Sequence, residues 1–144
     1  VADQTRLVDL PGYGFAKGPL KVKEEWNKQL ERYLQYRRSL KGLILLMDIR
    51  HPLKDYDRQM IEWAAVSEMP VHILLTKCDK LKRGPAKTAL LRVKQELKAH
   101  ERWISVQLFS SHNHEGMDEL QRTLNWWLTL PEDDVAAIED NLVD

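Results

Sequence analysis

The sequence predicts an α/β fold: a three-layer, mostly parallel sheet with helices on both faces. Three observations predict it. Short apolar runs at 6–8, 43–47, 71–75 and 104–108 read as strands, and the run Leu43-Ile44-Leu45-Leu46-Met47 has the unbroken apolar character of a strand buried on both faces. Between them lie stretches with apolar residues at helical spacing, and strict alternation of strand and helix builds parallel sheets with crossover helices. Three of the runs end in short polar motifs, and ligands of doubly wound sheets bind at the carboxyl ends of strands.

The elements follow in order. After Leu7-Val8 comes a loop rich in Gly and Pro (Pro11, Gly12, Gly14, Gly18, Pro19), then a helix expected over about 22–39, with Trp26, Leu30, Tyr33 and Leu34 on one face. Gly42 punctuates before the apolar strand. Pro52 is suited to the first turn of the next helix, which presents Met60, Ile61 and Ala64 inward and is stopped by Met69-Pro70. A basic loop follows the strand at 71–75, and a helix near 85–99 carries Leu90, Leu91, Val93 and Leu97. The strand at 104–109 leads to a last helix near 116–128 with Met117, Leu120, Leu124 and Trp127, where Trp126 and Trp127 are expected to divide into one core ring and one partly exposed ring. Residues 1–131 are expected to form one domain and 132–144 an acidic tail, with a short helix through Val135, Ala136, Ile138 and Leu142.

Bulk composition narrows the function classes. With 144 residues, 43% hydrophobic and 31% charged, the chain is an ordinary globular domain able to bury a core. No apolar stretch reaches the roughly 18–20 residues that a membrane helix needs. The single cysteine, Cys78, cannot form an internal disulfide, so a reducing compartment and hence the cytoplasm is expected. The net charge of zero hides an asymmetry: residues 132–144 carry six acids and no Lys or Arg, leaving 22 basic against 16 acidic groups in the rest. A basic body of this kind suits a polyanionic partner.

The three strand-end motifs carry the chemistry. Asp9-Leu10-Pro11-Gly12 places a carboxylate where hydrated Mg²⁺ can be held, and a glycine whose N–H can approach a terminal phosphate. In Thr76-Lys77-Cys78-Asp79, the Asp79 carboxylate can accept from both neighbouring donors of guanine, and the stem of Lys77 can lie over the base. Ser110-Ser111 can offer backbone N–H groups to the guanine carbonyl. Each motif alone has a structural explanation: a strand-to-turn junction, a capping Asp, short hydroxyl residues at a strand end. Their order along the chain is what joins them. Arg50-His51 beyond the second apolar strand is either a nucleotide contact or a satisfied loop pair. His112, His114 and Glu115 lack the further ligands of a metal site.

Leu7-Val8-Asp9-Leu10-Pro11-Gly12-Tyr13-Gly14-Phe15-Ala16 and Leu46-Met47-Asp48-Ile49-Arg50-His51-Pro52-Leu53, together with the two later motifs, resemble the EngB (YihA/YsxC) family of bacterial ribosome-assembly GTPases. The resemblance implies a Ras-like G domain of the P-loop NTPase fold, binding of GTP and GDP with Mg²⁺, and a monomer. It also implies a switch role in assembly of the large ribosomal subunit, with contact to it or its precursor and a link to division septum formation. It makes Asp9 the indirect, water-mediated Mg²⁺ ligand and Gly12 the γ-phosphate sensor. Thr76, Lys77 and Asp79 become the guanine-reading set, and Ser110, Ser111 and His112 the backbone clamp. Tyr13 stands where Ras-type enzymes carry the glutamine that orients water, so hydrolysis is expected to be slow. The phosphate-binding pattern Gly-x-x-x-x-Gly-Lys-Ser/Thr occurs nowhere in the chain; the resemblance puts it before residue 1, and the chain alone is expected to be inactive. The alternative is a truncated, non-catalytic G-domain fragment that retains only guanine recognition or a ribosome-binding surface.

Overall fold

A computed structural model describes residues 6–9, 28, 40–129 and 135–139. Strands β1 (Arg6–Asp9), β2 (Leu40–Asp48), β3 (Val71–Thr76), β4 (Ile104–Leu108) and β5 (Val135–Glu139) form one sheet. Its order is β1-β5-β2-β3-β4, and every pairing is parallel. Helices α1 (Asp55–Val66), α2 (Arg83–Glu96) and α3 (Met117–Leu128) are the crossovers. The helix expected over 22–39 lies outside the described residues, apart from Lys28, which is helical.

Period-two alternation along the strands decides which helix covers which face. Leu43, Leu45 and Met47 of β2, with Val71, Ile73 and Leu75 of β3, pack against Met60, Ile61 and Ala64 of α1 and Ala86 and Val93 of α2. The intervening Ile44 and Leu74 point the other way, into a second cluster with Trp127 and with Leu120 and Leu124 of α3. The sheet therefore has helices on both faces. Trp127 is buried while its neighbour Trp126 is exposed.

Two elements differ from the sequence expectation. β2 begins at Leu40 and runs through Gly42 instead of starting after it. The absence of a side chain there makes room for a ring: a Cβ on Gly42 would lie 2.7 Å from carbons of Trp127. The second is the acidic tail, where 135–139 is a strand and not a short helix. Val8 pairs with Ala137, which in turn pairs with Leu43, so this segment meets the backbone groups of both β1 and β2. Its β-branched Val135 and Ile138 suit a strand. Helix limits also shift: α1 starts at Asp55, where the Asp57 carboxylate accepts from the Lys54 N–H at 3.0 Å, leaving Pro52 in the preceding turn.

Gly42→Ala is expected to destabilise the fold by about 1–3 kcal/mol through overpacking. Trp127→Ala should cost about 3–5 kcal/mol. Because the two residues share one contact, the double variant should lose less than the sum of both, as urea unfolding will show.

Candidate nucleotide site

All six residues of β3 are buried, so the chain can only turn outward at its carboxyl end. Thr76 closes that end: its hydroxyl donates to the Met47 carbonyl at 3.1 Å, and its own carbonyl accepts from the Ile49 N–H at 3.0 Å. Lys77 then adopts φ 58°, ψ 32°, the left-handed region that costs a non-glycine residue roughly 1–2 kcal/mol. Strain of this size at a strand end marks a segment whose geometry is set by more than local preference. A 3₁₀ turn, Cys78–Lys80, follows and brings Asp79 back toward β4.

β4 is held to this loop by backbone bonds. The Phe109 N–H donates to the Leu75 carbonyl at 2.9 Å, and the Cys78 N–H to the Phe109 carbonyl at 3.2 Å. Ser110, fully buried, donates its hydroxyl to Asp79 Oδ1 at 2.7 Å. That bond is the first cause holding the Asp79 carboxyl below its usual range, with Lys80 and His112 adding weaker attraction and burial opposing. The Ser110 N–H donates to the Glu115 carbonyl at 3.0 Å, which closes a loop over 110–115. Ser111 and His112 sit exposed at its tip, and among the described residues their N–H groups make no backbone hydrogen bond. Cys78 is buried beside Glu115, and burial first, then that carboxylate, pushes its thiol up to about 11, so it is an inert packing residue. A cavity of about 490 Å³ opens along this edge, and Cys78, Asp79, Leu81 and Asn113 are among the residues that line it.

Beneath the loop lies a polar chain that sequence reasoning missed, buried at Gln107 and His72 and reaching the exposed Ser105. The Gln107 amide nitrogen donates to the Leu108 carbonyl at 3.0 Å and the Gly116 carbonyl at 2.8 Å. Only an NH₂ group can serve two carbonyls, so Oε1 faces His72 Nε2, 2.6 Å away. His72 therefore carries its proton on Nε2 and accepts the Ser105 hydroxyl at Nδ1, also at 2.6 Å. Burial lowers its pKa, against the Gln107 bond and the field of Glu119. Gly116 completes the arrangement at φ 87°, where an added Cβ would strike the Leu108 carbonyl oxygen. A histidine inside an apolar strand gives no sequence signal of this role.

The structure thus gathers Thr76, Lys77, Asp79, Ser110, Ser111 and His112 at one sheet edge. Thr76 is buried, with its hydroxyl given to β2. Asp9 ends β1, in register with Ile138 and, through it, with Ile44. Ile44 lies four residues below Asp48, the partner of Thr76, and β1 stands three strands from β3. From spacings of roughly 3.3 Å per residue and 4.8 Å per strand, Asp9 and Thr76 are on the order of 20 Å apart. They do not belong to one cluster. Gly12 and Tyr13 lie outside the described residues. Among the described residues no three His, Cys, Asp or Glu gather as a metal site, and no helix is long and apolar enough to cross a membrane.

A parallel sheet covered on both faces by crossover helices gives the chain the fold of a G domain of the α/β P-loop NTPase class. Superposition agrees: translation elongation factor SelB from Methanococcus maripaludis, solved in complex with the GTP analogue GppNHp, matches with a TM-score of 0.61 at 16% identity. The match covers 74% of this chain and 24% of that one. No protein-family model matches the sequence. Over 129 residues, 90% of its length, the chain is 52% identical to the probable GTP-binding protein EngB of Pseudoalteromonas translucida (strain TAC 125), of which it spans 58%. Over the 129 residues aligned, the chain resembles the EngB protein.

The buried histidine makes stability depend on pH. The unfolded chain takes up a proton near pH 6.5 that folded His72 resists. The unfolded state then binds more protons, so stability falls as pH drops below about 6.5, by at most about 1.4 kcal/mol per pH unit. His72→Gln should flatten that part of the curve in urea titrations between pH 7.5 and 5.

Proposed function

We propose that this sheet edge reads the base of GTP and GDP, as part of a slow GTPase switch. The observation that carries the reading is the Ser110 hydroxyl fixed on Asp79 Oδ1 at 2.7 Å. A carboxylate aligned in this way presents its remaining lone pairs to the ring N–H and exocyclic amine of guanine, two charge-assisted bonds. Ser111 and His112 supply backbone N–H groups to the guanine carbonyl. Ser110 serves through its hydroxyl, because its own N–H is given to Glu115. Lys77 lays its stem along the base, while Thr76 holds the strand end from which Lys77 and Asp79 project.

At the other end of the nucleotide, Asp9 would hold Mg²⁺ through water and Gly12 would meet the γ-phosphate. Magnesium bound there neutralises phosphate charge; the chain's own contribution is a carboxylate at the end of a parallel strand. The site thus holds the base rigidly, and hydrolysis is slow.

The partner reading rests on α2 and the turn before it. Between Lys80 and Lys98 the chain carries seven basic residues, all exposed, against the single acid Glu96. Lys80, Lys82, Arg83 and Lys87 lie next to the base-reading loop. Such a surface suits the phosphates of ribosomal RNA, and family resemblance points the same way, to large-subunit assembly in the cytoplasm with a link to septum formation.

In the full-length protein, Asp79→Asn should exchange guanosine for xanthosine preference. The amide offers one donor and one acceptor, which mismatches the two donors of guanine and suits the 2-carbonyl of xanthine. Asp79→Ala should cost on the order of 3–5 kcal/mol of GDP affinity. Competition between GDP and XDP reads both; equal loss of the two nucleotides by a folded Asn variant would remove Asp79 from base reading. Affinity for large-subunit particles should fall steeply with salt, and reversing charge at Lys82 and Lys87 should flatten that slope. A salt-independent interaction would instead indicate an uncharged protein contact.

A further inference from the structure

The cavity shared by α2 and the 110–115 loop contains groups that base reading does not use. Its volume of about 490 Å³ lies within the roughly 300–1,000 Å³ of pockets that hold one small organic molecule. Cys78 and Asp79 reach it from the base-reading turn, Arg83, Ala86 and Lys87 from α2, and Asn113 and Glu115 from the loop. Arg83 and Lys87 stand one helical turn apart, a spacing at which like charges disfavour the helix. The first turn of α2 holds no acid, and among the described residues neither cation forms an ion pair.

Around these cations the lining changes character. Ala86 is buried and, with Leu81 and Leu108, gives apolar surface. Asn113 Oδ1 accepts from the Glu115 N–H at 3.2 Å, which leaves the Asn113 NH₂ group as an unengaged donor among the described residues. Glu115 adds a carboxylate acceptor. A bare anion suits the two cations but not that carboxylate, and an apolar molecule would strand all four polar groups. A nucleotide answers each of them. It has flat faces for the apolar wall, N–H groups for Glu115, ring acceptors for Asn113 and a phosphate for Arg83 and Lys87.

We propose that this cavity receives one unpaired nucleotide of an RNA strand, its base inside and its phosphate on Arg83 and Lys87. Proteins read RNA at such splayed bases, because a duplex hides them. A strand answers the surface better than a free nucleotide does. Lys80 and Lys82 before the pair, and Arg92, Lys94 and Lys98 beyond it, are exposed and can follow further phosphates. Of the base-reading set only Asp79 borders the cavity, so GDP and the strand are held side by side. The inference rests on the RNA-binding reading of this surface. It adds what charge alone does not give, a preference for single strands.

The test uses the full-length protein saturated with GDP and a fluorescein-labelled RNA without guanosine, either single-stranded or annealed to its complement. A duplex carries the denser charge, so an electrostatic surface alone favours it. The single strand should instead bind about fivefold tighter at equal salt. Ala86→Leu fills the cavity without changing a charge, so the preference should vanish while the salt dependence of binding stays as it was. Asn113→Ser keeps an oxygen for the Glu115 N–H; it should weaken the single strand about threefold and the duplex not at all. It serves if the leucine variant folds poorly, and thermal unfolding of each variant separates lost fold from lost binding. Three results overturn the proposal: no single-strand preference in the wild type, a folded Ala86→Leu variant that keeps it, or displacement of the strand by more GDP or by uridine monophosphate at equal concentration. Binding of neither RNA overturns the RNA reading of the surface as well.

Discussion

Burial of β3 on both faces is the constraint on which the rest depends. Ile73 and Leu75 fill the cluster under α1 and α2, and Leu74 fills the one under α3. Each such side chain contributes roughly 1.5–3 kcal/mol by leaving water. A strand enclosed on both faces and hydrogen-bonded to β2 and β4 has one free direction, along its own axis. The loop bearing Lys77 and Asp79 emerges there, and the neighbouring strands end beside it at Asp48 and Leu108. Packing energy thus positions the polar edge, and the left-handed Lys77 is where the chain turns from one to the other.

Polar groups under the edge must be fully satisfied, because an orphan donor or acceptor in that core would cost about 1–3 kcal/mol. His72 and Gln107 meet this condition, and the exposed Ser105 completes a single consistent set of donors and acceptors. Gln107 reaches Gly116, so the core is linked directly to the base of the 110–115 loop. Ser110 adds a second link, from loop to Asp79. The edge is therefore held by the chain's own hydrogen bonds, so a ligand bound there would meet a reduced ordering cost.

The sheet, its parallel sense and the helices on both faces were legible because the signals are local: unbroken apolar runs such as 43–47 and 71–75, with helical spacing between them. The strand end at Thr76, with the turn that follows it, was legible for the same reason. What escaped the sequence is tertiary. Gly42 looked like a strand boundary, yet it is the space for a ring 85 positions later. Ser110 looked like a backbone donor, while its N–H closes its own loop and its hydroxyl holds Asp79. His72 and the ion pair of Arg50 with Asp48 at 2.7 Å acquire meaning only through partners on other strands or around a turn. The segment 135–139 has helical spacing on paper; the unpaired backbone of β1 and β2 makes it a strand.

The central claim is that the carboxyl edge of β3 and β4 recognises guanine. Amide NMR of the full-length protein during titration with GDP, and separately with ADP, tests it most directly. GDP should shift the amides of Lys77, Asp79, Ser111 and His112 in one saturable transition, leaving the far ends of β3 and β4 near Val71 and Ile104 unmoved, and ADP at equal concentration should leave the first group unperturbed. Equal shifts with both nucleotides, or GDP shifts that bypass those four residues, would contradict the account.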